Sequence, residues 1–514
     1  MHYFIEHKWT QFVALLVVFF ALTMAIDPAT GGNLWRLQET RFWLLPDVVN
    51  DGLKFLINDF WVVETYDAEL GITEQSTMMK EFTRDLSGVV LFSINLIREL
   101  LLGGVKTVVA FTSWDFISEN EWARIPALPW PAVAAGAFLA GQYLGGRNLS
   151  LLAGISTIYI AVFGQWTPAM QTLSFVLVAV PLSVLLGLTL GIVAFRNRTF
   201  EAVLAPLLNV AQTMPHFSYL IPVVVFFGIG DHAGAISTVI FATPPMIRLT
   251  ILGLKKVSPE VVEAGMMSGC NSRQLMFKVL IPTARHDILI GVNQVIMQCL
   301  AMAVIASFIG AKGLGYDLLV SLNMLKIGQA LELGISIVLI AVVLDRLSLA
   351  WAKKQVDYFA DVPFHLRHKY SLAFVGILIF TSVVAYAASM AFPDKANYFY
   401  FIQESQGLTT EKFWDAIVDW IITNTYDSVQ SFNFFMIASI LMPMKEAYLS
   451  MPVAATLFLV AGTGYIVGGL RSAIVATAFI ALTPWWDRAL ITAYMTTFAV
   501  VISVTSDCGV NPIN

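Results

Sequence analysis

Residue types that carry out covalent or metal chemistry are few in this sequence and do not cluster. The three cysteines, Cys270, Cys299 and Cys508, are scattered and odd in number, so they predict neither a disulfide framework nor a set of metal ligands. No haem-attachment pair, zinc motif, phosphate-binding loop or catalytic-triad signature appears. We therefore predict no catalytic residue, metal site or cofactor in this chain, and any ATPase that it needs must be a separate chain.

The composition indicates a membrane protein. Of 514 residues, 57% are hydrophobic and 13% are charged, and the mean hydropathy is +0.74. A typical soluble domain carries about 25% charged residues, which excludes a soluble enzyme or a disordered protein. Apolar surface at this density requires lipid as its solvent. The net charge of −5 gives no indication of a nucleic-acid partner.

Long apolar runs predict an all-α polytopic protein with about 11 to 12 spans. The first run, residues 9–26, lacks a small-residue cleavage site and predicts an anchor helix rather than a removed signal peptide. The other predicted spans are residues 130–146, 149–166, 169–195, 207–229, 233–254, 287–310, 329–351, 370–392, 451–468, 471–484 and 488–504.

Three amphipathic segments, residues 41–63, 85–112 and 410–447, interrupt this pattern. Charges such as Asp59 and Arg98 lie within the first two segments, and a charge at the bilayer centre costs several kcal/mol or more. We therefore expect these two segments to lie at the membrane interface. If residues 85–112 do not cross, the basic residues between the spans all fall on one face, which is then the cytoplasmic face.

The polar loop at residues 255–287 has the pattern of two capped helices. Ser258 is a good N-cap, Pro259 suits the first helical turn, and Gly269 is a natural C-terminal residue. A second helix is predicted at residues 273–279, capped by Asn271 and Ser272 and closed near Pro282. A helix–turn–helix across the membrane face can seat in a groove of a partner.

The spacing within this loop resembles the E-A-A-x-x-x-G-x9-I-x-L-P cytoplasmic loop of ABC-importer permeases. It departs mildly, with glycine for the third residue, valine for isoleucine and isoleucine for leucine. The resemblance implies that the loop docks into the ATPase, with Glu263 exposed near the helix N-terminus, where the helix dipole favours it. The implied coupling residues are Glu263, Ala264, Gly265, Gly269, Ile281 and Pro282.

Further segments resemble the permeases for glycine betaine, proline betaine and choline. They span about residues 130–352 and include 212–215, 219–222, 226–230, 244–250, 291–294, 304–310, 313–315 and 344–347. The resemblance implies a type I ABC importer fold in the bacterial inner membrane, surrounded by lipid. It also implies two ATPase subunits that bind ATP and Mg, and a periplasmic or extracellular substrate-binding protein. Choline, carnitine and trimethylamine N-oxide all remain open as cargo.

A methylated ammonium group is held by aromatic faces through cation–π attraction. The candidate pathway residues are Gln212, His216, Phe217, Tyr219, Asn293 and Gln294. Each has a structural alternative: the histidine bonds the backbone, the aromatic rings pack in the core, and the amides bridge helices. Asp345 and Arg346 are most simply a local ion pair at the cytoplasmic interface.

A weak internal repeat predicts three regions. Residues 1–128 hold the anchor and interfacial helices, residues 129–352 the permease core, and residues 353–514 a partial second copy. Both copies begin after basic residues on the same side, which indicates a parallel duplication. The second copy ends early, and we expect this chain to be truncated relative to an ancestral tandem permease. Because one coupling loop serves one ATPase, two ATPases require a homodimer or a second permease copy.

Two alternatives belong to other functional classes. An ion-coupled secondary transporter of small osmolytes predicts charges within the spans and inverted halves, whereas the core spans contain almost no charges. A membrane scaffold or channel without energised transport predicts no ATPase partner.

Overall fold

The computed structural model describes residues 62–67, 72–103, 105–107, 123–125, 128–354, 369–391, 407–443 and 453–482, with a few short pieces of the first 55 residues. The chain divides into two compact units. One combines Met1–Thr77 with Ile421–Asn514, and the other is Met78–Trp420. The predicted spans at residues 9–26 and 488–504 lie wholly or largely outside the described residues.

The described part of the chain is overwhelmingly helical, as predicted. Two short antiparallel hairpins, which the sequence did not predict, pair β1 with β2 and β3 with β4; the strands are Val62–Asp67, Ile72–Thr77, Val105–Thr107 and Ala123–Ile125. The helices before the coupling loop are α1 Met78–Arg98, α2 Trp130–Gly145, α3 Arg147–Val162, α4 Trp166–Arg196, α5 Arg198–Thr213, α6 His216–Phe227 and α7 Asp231–Lys255.

The remaining helices continue through the loop and into the second copy. They are α8 Pro259–Met267, α9 Ser272–Gln274, a π-helical turn Leu275–Leu280, α10 Ile281–Thr283, α11 Arg285–Ile305, α12 Leu314–Asn323, α13 Ile327–Lys353, α14 Lys369–Ala391, α15 Glu411–Phe435 and α16 Val453–Leu482. Helix α16 covers two predicted spans, residues 451–468 and 471–484, and is kinked at Gly469 between them.

Four described helices are long and apolar enough to cross a membrane: α4, α7, α11 with its extension to Ile309, and α13. A fifth predicted span, residues 207–229, is not one straight helix. It falls on α5 and α6, which meet at an angle of 104°. The break lies at Met214 and Pro215, where the proline disfavours helical backbone in the residue before it.

The core of the larger unit is built on the close packing of α4 against α7. Gly187 and Gly191 form a small-residue stripe on α4 that lets the two backbones approach. A Cβ atom on Gly187 would lie 2.5 Å from the Met246 side chain, and one on Gly191 would lie 2.6 Å from the Cβ of Thr250. Met246 and Thr250 are fully buried in this contact.

Replacing Gly191 with leucine is therefore expected to destabilise the folded bundle. Overpacking of this kind costs about 1–3 kcal/mol, because neither Thr250 nor the backbone of Ile247 can move away cheaply. The thermal unfolding midpoint in detergent should fall, whereas Gly376→Leu on α14, where no atom lies within 4 Å of the added Cβ, should leave it unchanged. Equal midpoints for the two variants would show that α4 and α7 are not in this contact.

Helix α1 packs on the core instead of standing alone. Its side chains Val90 and Ile94 are buried in the same hydrophobic cluster as residues of α4 and α7. Arg98, at its C-terminal end, pairs with Asp231 at the start of α7. Asp231 also accepts a hydrogen bond of 2.7 Å from the backbone N–H of Lys312. The helix and its π-helical extension end at Gly103, sooner than the predicted residue 112, and the interfacial placement of this segment stays a prediction.

Candidate functional site

Helix α8 of the coupling loop has the predicted boundaries at both ends. It begins at Pro259 after Ser258, whose carbonyl oxygen accepts the backbone N–H of Val261 at 3.2 Å. It ends in a Schellman motif at Gly269, whose φ is +78°. The N–H of Gly269 donates to Met266 at 2.9 Å, and the N–H of Cys270 donates to Gly265 at 3.2 Å.

The second helix of the loop starts with a reciprocal capping box. The Asn271 side chain accepts the N–H of Gln274 at 2.8 Å, and the Gln274 side chain accepts the N–H of Asn271 at 3.0 Å. The predicted helix at residues 273–279 is longer in the structure, because helical backbone continues to Thr283 through the π-helical turn Leu275–Leu280. The wider turn accommodates Pro282, which has no N–H to donate and would crowd a regular helix.

A close contact at Gly265 joins the two helices into one hairpin. Gly265 is buried, and a Cβ atom there would lie 2.9 Å from the side chain of Leu275 and 3.2 Å from that of Val279. The second helix packs in turn on the core through Met276, Leu280 and Ala284, which are 3%, 6% and 3% exposed. The hairpin is therefore a stiff extension of the bundle.

Two ion pairs hold the ends of the loop to the helices beside it. Lys255 Nζ lies 2.5 Å from Glu201 of α5, and Lys256 Nζ lies 3.0 Å from Asp287 of α11. Both lysines are exposed, so each pair contributes little stability and mainly orients the loop. In the first turn of α8, hydrogen bonds from its own backbone N–H and from the Ser258 hydroxyl hold the pKa of the Glu260 carboxyl below its ordinary value.

The outer surface of the hairpin carries the predicted coupling residues. Glu263, Ala264 and Pro282 are exposed, and Ile281 is half-buried against the core. Glu263 lies in the second turn of α8, not at the helix N-terminus as predicted, and the first-turn acid is Glu260. Large apolar side chains share this surface: Val261, Met266, Met267 and Phe277 are 37%, 54%, 89% and 62% exposed.

The predicted aromatic pathway residues lie around the bend between α5 and α6. His216 and Phe217 are exposed, with rings 4.4 Å from Phe241 and 5.2 Å from Phe308 respectively. Tyr219 is buried, and its hydroxyl donates to the carbonyl of Ala211 across the bend. Within the described contacts, His216 has this ring contact instead of the expected backbone hydrogen bond.

The predicted amides do not converge on a single place in the described structure. Gln212 and Gln294 are exposed, whereas Asn293 bridges α11 to α13. Its Nδ2 donates to Asp345 Oδ1 at 3.2 Å, and its Oδ1 accepts the hydroxyl of Ser348. Asp345 therefore bonds to Asn293, and no ion pair to Arg346 occurs among the described residues, contrary to the prediction. A pathway role for these residues stays a prediction.

Comparison with known proteins identifies the family. A family model described as the binding-protein-dependent transport system inner membrane component matches residues 179–356. The trimethylamine N-oxide transport system permease protein of Pelagibacter ubique is 49% identical over 529 aligned residues, covering 96% of this chain and 74% of the relative. This chain belongs to the binding-protein-dependent ABC-importer permeases.

Two further comparisons place the permease more broadly. The glycine betaine transport system permease protein of Bacillus subtilis is 41% identical and covers 40% of this permease and 73% of its own length. An inward-facing form of the methionine ABC transporter MetNI matches with a TM-score of 0.33 at 17% identity, covering 36% of this permease and 93% of that chain.

Family membership confirms the predicted fold class and the predicted role as the membrane subunit of an importer. The permease is a multi-pass helical transport subunit rather than an enzyme, and the relatives support neither the ion-coupled alternative nor an uncoupled channel. The Pelagibacter alignment covers 96% of the permease, so it extends through both predicted copies.

Sequence reasoning missed part of the coupling surface of the permease. Met266 and Met267 were read only as spacer residues inside the motif, and Phe277 only as part of a helix. Their presence in a charged loop was the available signal, because apolar side chains between Lys255 and Arg285 have no lipid to face.

Proposed function

We propose that the permease carries trimethylamine N-oxide or a glycine-betaine-type solute into the cell across a bacterial inner membrane. It works with two ATPase subunits, which bind ATP and Mg, and with a substrate-binding protein on the outer side. The observation that carries this proposal is the 49% identity to a trimethylamine N-oxide permease over 96% of the chain.

The coupling loop transmits the movement of the ATPase. The hairpin of α8 and α9 is fixed to the bundle by the Gly265 contact, so a displacement of its outer surface moves α7 and α11. Its exposed apolar side chains and Glu263 offer a surface that a groove in the ATPase can cover. Closing of two ATPases then reorients the spans, and the access of the pathway alternates between the two sides.

The stoichiometry follows from the number of loops. The sequence contains one coupling-loop motif, at Glu263 to Pro282. Two ATPases therefore need two such chains, either a homodimer or a pair with a second permease copy.

The bend between α5 and α6 is the favoured part of the substrate path. It gathers the exposed rings of His216 and Phe217 near Phe241 and Phe308. Aromatic faces of this kind attract a methylated ammonium without binding it tightly, as a conduit requires.

The substrate is tested by uptake into proteoliposomes that contain the permease, its ATPase and its binding protein. With ATP inside, labelled trimethylamine N-oxide should accumulate, and glycine betaine, choline and carnitine, tested as competitors, rank the specificity. Accumulation of none of these methylated amines, alongside ATP-driven uptake of an unrelated solute, would overturn the proposed substrate class.

A further inference from the structure

Glu332 is a buried carboxylate within a membrane-spanning helix. It lies in α13, a helix of 27 residues, and is 2% exposed. Ionisable side chains inside a span are costly and usually have a function and a specific partner. Neither the coupling loop nor the predicted pathway uses this residue.

The partners of Glu332 come from a distant part of the chain. Thr409 Oγ1 donates to Oε2 at 3.2 Å, the backbone N–H of Thr410 donates to Oε1 at 3.2 Å, and Thr410 Oγ1 donates to Oε1 at 3.4 Å. These donors lie in residues 407–415, which we call the strap. The strap leads into α15, the first helix of the predicted second copy that the structure describes after α14.

The strap also bonds to two other places on the first copy. Asp415 Oδ1 accepts the N–H of Gly328 at 2.8 Å and so caps the first turn of α13. The N–H of Leu408 donates to the carbonyl of Val162 at 2.9 Å, at the end of α3. Gly407 packs so closely on the turn after α3 that a Cβ atom would lie 2.8 Å from the nitrogen of Gly164.

These attachments lie at the end of the bundle remote from the coupling loop. Asn293, close after the loop, contacts Asp345 and Ser348 near the end of α13, so the start of α13 is at the opposite end. Gly191, near the end of α4, packs on Thr250 just before the loop, so the turn between α3 and α4 is also at the opposite end. The strap therefore joins the α3–α4 turn to the start of α13 on the outer side.

We propose that the strap is a permanent fastening by which the second copy docks on the outer end of the first, with Glu332 as its positioning residue. Opening the strap would leave a buried carboxylate without donors, which is strongly unfavourable. The α3–α4 turn, the start of α13 and the first turn of α15 therefore move as one body throughout transport. The transport step of this inference rests on the proposed function.

Amide hydrogen exchange of the full chain in proteoliposomes tests the fastening. In Glu332→Leu, the amides of Leu408 and Gly328 should exchange at least about tenfold faster, since hydrogen bonds to a charged group are lost. Their own acceptors, on Val162 and Asp415, are untouched, so the effect must pass through the strap. Glu332→Gln keeps one acceptor oxygen and should show a smaller change, and ATP-driven uptake should fall in the same order.

Asp419→Asn is the matched control, because Asp419 is exposed one turn beyond Asp415 on the same helix. It should leave exchange and uptake unchanged, and in Glu332→Leu the amides of Leu275 and Cys270 in the coupling loop should keep their wild-type rates. Unchanged protection of Leu408 in Glu332→Leu would overturn the proposal.

A second arm distinguishes a fastening from a gate. In the wild type, the protection of Leu408 and Gly328 should be the same at rest and during ATP hydrolysis. Loss of that protection during hydrolysis would show that the strap opens in each cycle, which contradicts permanence. The resting measurement needs no substrate, so it stands even if the proposed cargo is wrong.

Discussion

Replacing Met267 with aspartate is expected to abolish ATP-driven uptake while the permease still folds and inserts. Met267 is 89% exposed, so the change costs the isolated chain almost nothing. If the loop seats in the ATPase, the new carboxylate becomes buried without a partner, which costs several kcal/mol. Co-purification of the ATPase with the permease should therefore weaken by about a hundredfold or more.

Leu325→Asp is the control for this change. Leu325 is 82% exposed in the turn before α13, at the end of the bundle remote from the coupling loop, and its φ of +58° suits aspartate. It should retain the ATPase fully. Full retention of the ATPase by Met267→Asp would remove this methionine from the docking surface.

Replacing Gly269 with valine is expected to uncouple ATP hydrolysis from uptake. Valine at a φ of +78° costs about 1–2 kcal/mol or more, which loosens the Schellman motif that sets the angle between α8 and α9. The hairpin should then bind the ATPase but transmit its movement poorly. Hydrolysis and uptake, measured in the same vesicles, should diverge, with several times more ATP consumed per solute.

Gly146→Val separates the geometry of the hairpin from backbone strain. Gly146 has the same φ of +78°, and an added Cβ atom at either glycine meets no atom within 4 Å. The strain is therefore equal, but Gly146 lies in the turn between α2 and α3. An equal loss of coupling in both variants would mean that strain, and not the coupling hairpin, causes the defect.

The capping of the coupling loop was predictable because it is local. Ser258, Gly269 and Asn271 each act on backbone groups within a few residues, so their types and spacing determine the helix boundaries. Membership of the permease family was predictable for the same reason, since the motif is contiguous.

Contacts between distant segments were not predictable from the sequence. Asp345 was paired with its neighbour Arg346, but the structure pairs it with Asn293 of another helix. The 104° angle at Met214 and Pro215 depends on how α5 and α6 pack, although the proline marked its place. The partners of Glu332 in the strap lie 77 and 78 positions along the chain, beyond any periodic pattern.

The most direct test of the proposed function is uptake by the reconstituted importer after all ion gradients are collapsed with ionophores. If the permease is driven by an ATPase through its coupling loop, labelled trimethylamine N-oxide should still accumulate with ATP inside the vesicles, and accumulation should stop when ATP is omitted. Uptake that is lost with the ion gradients and persists without ATP would contradict the account.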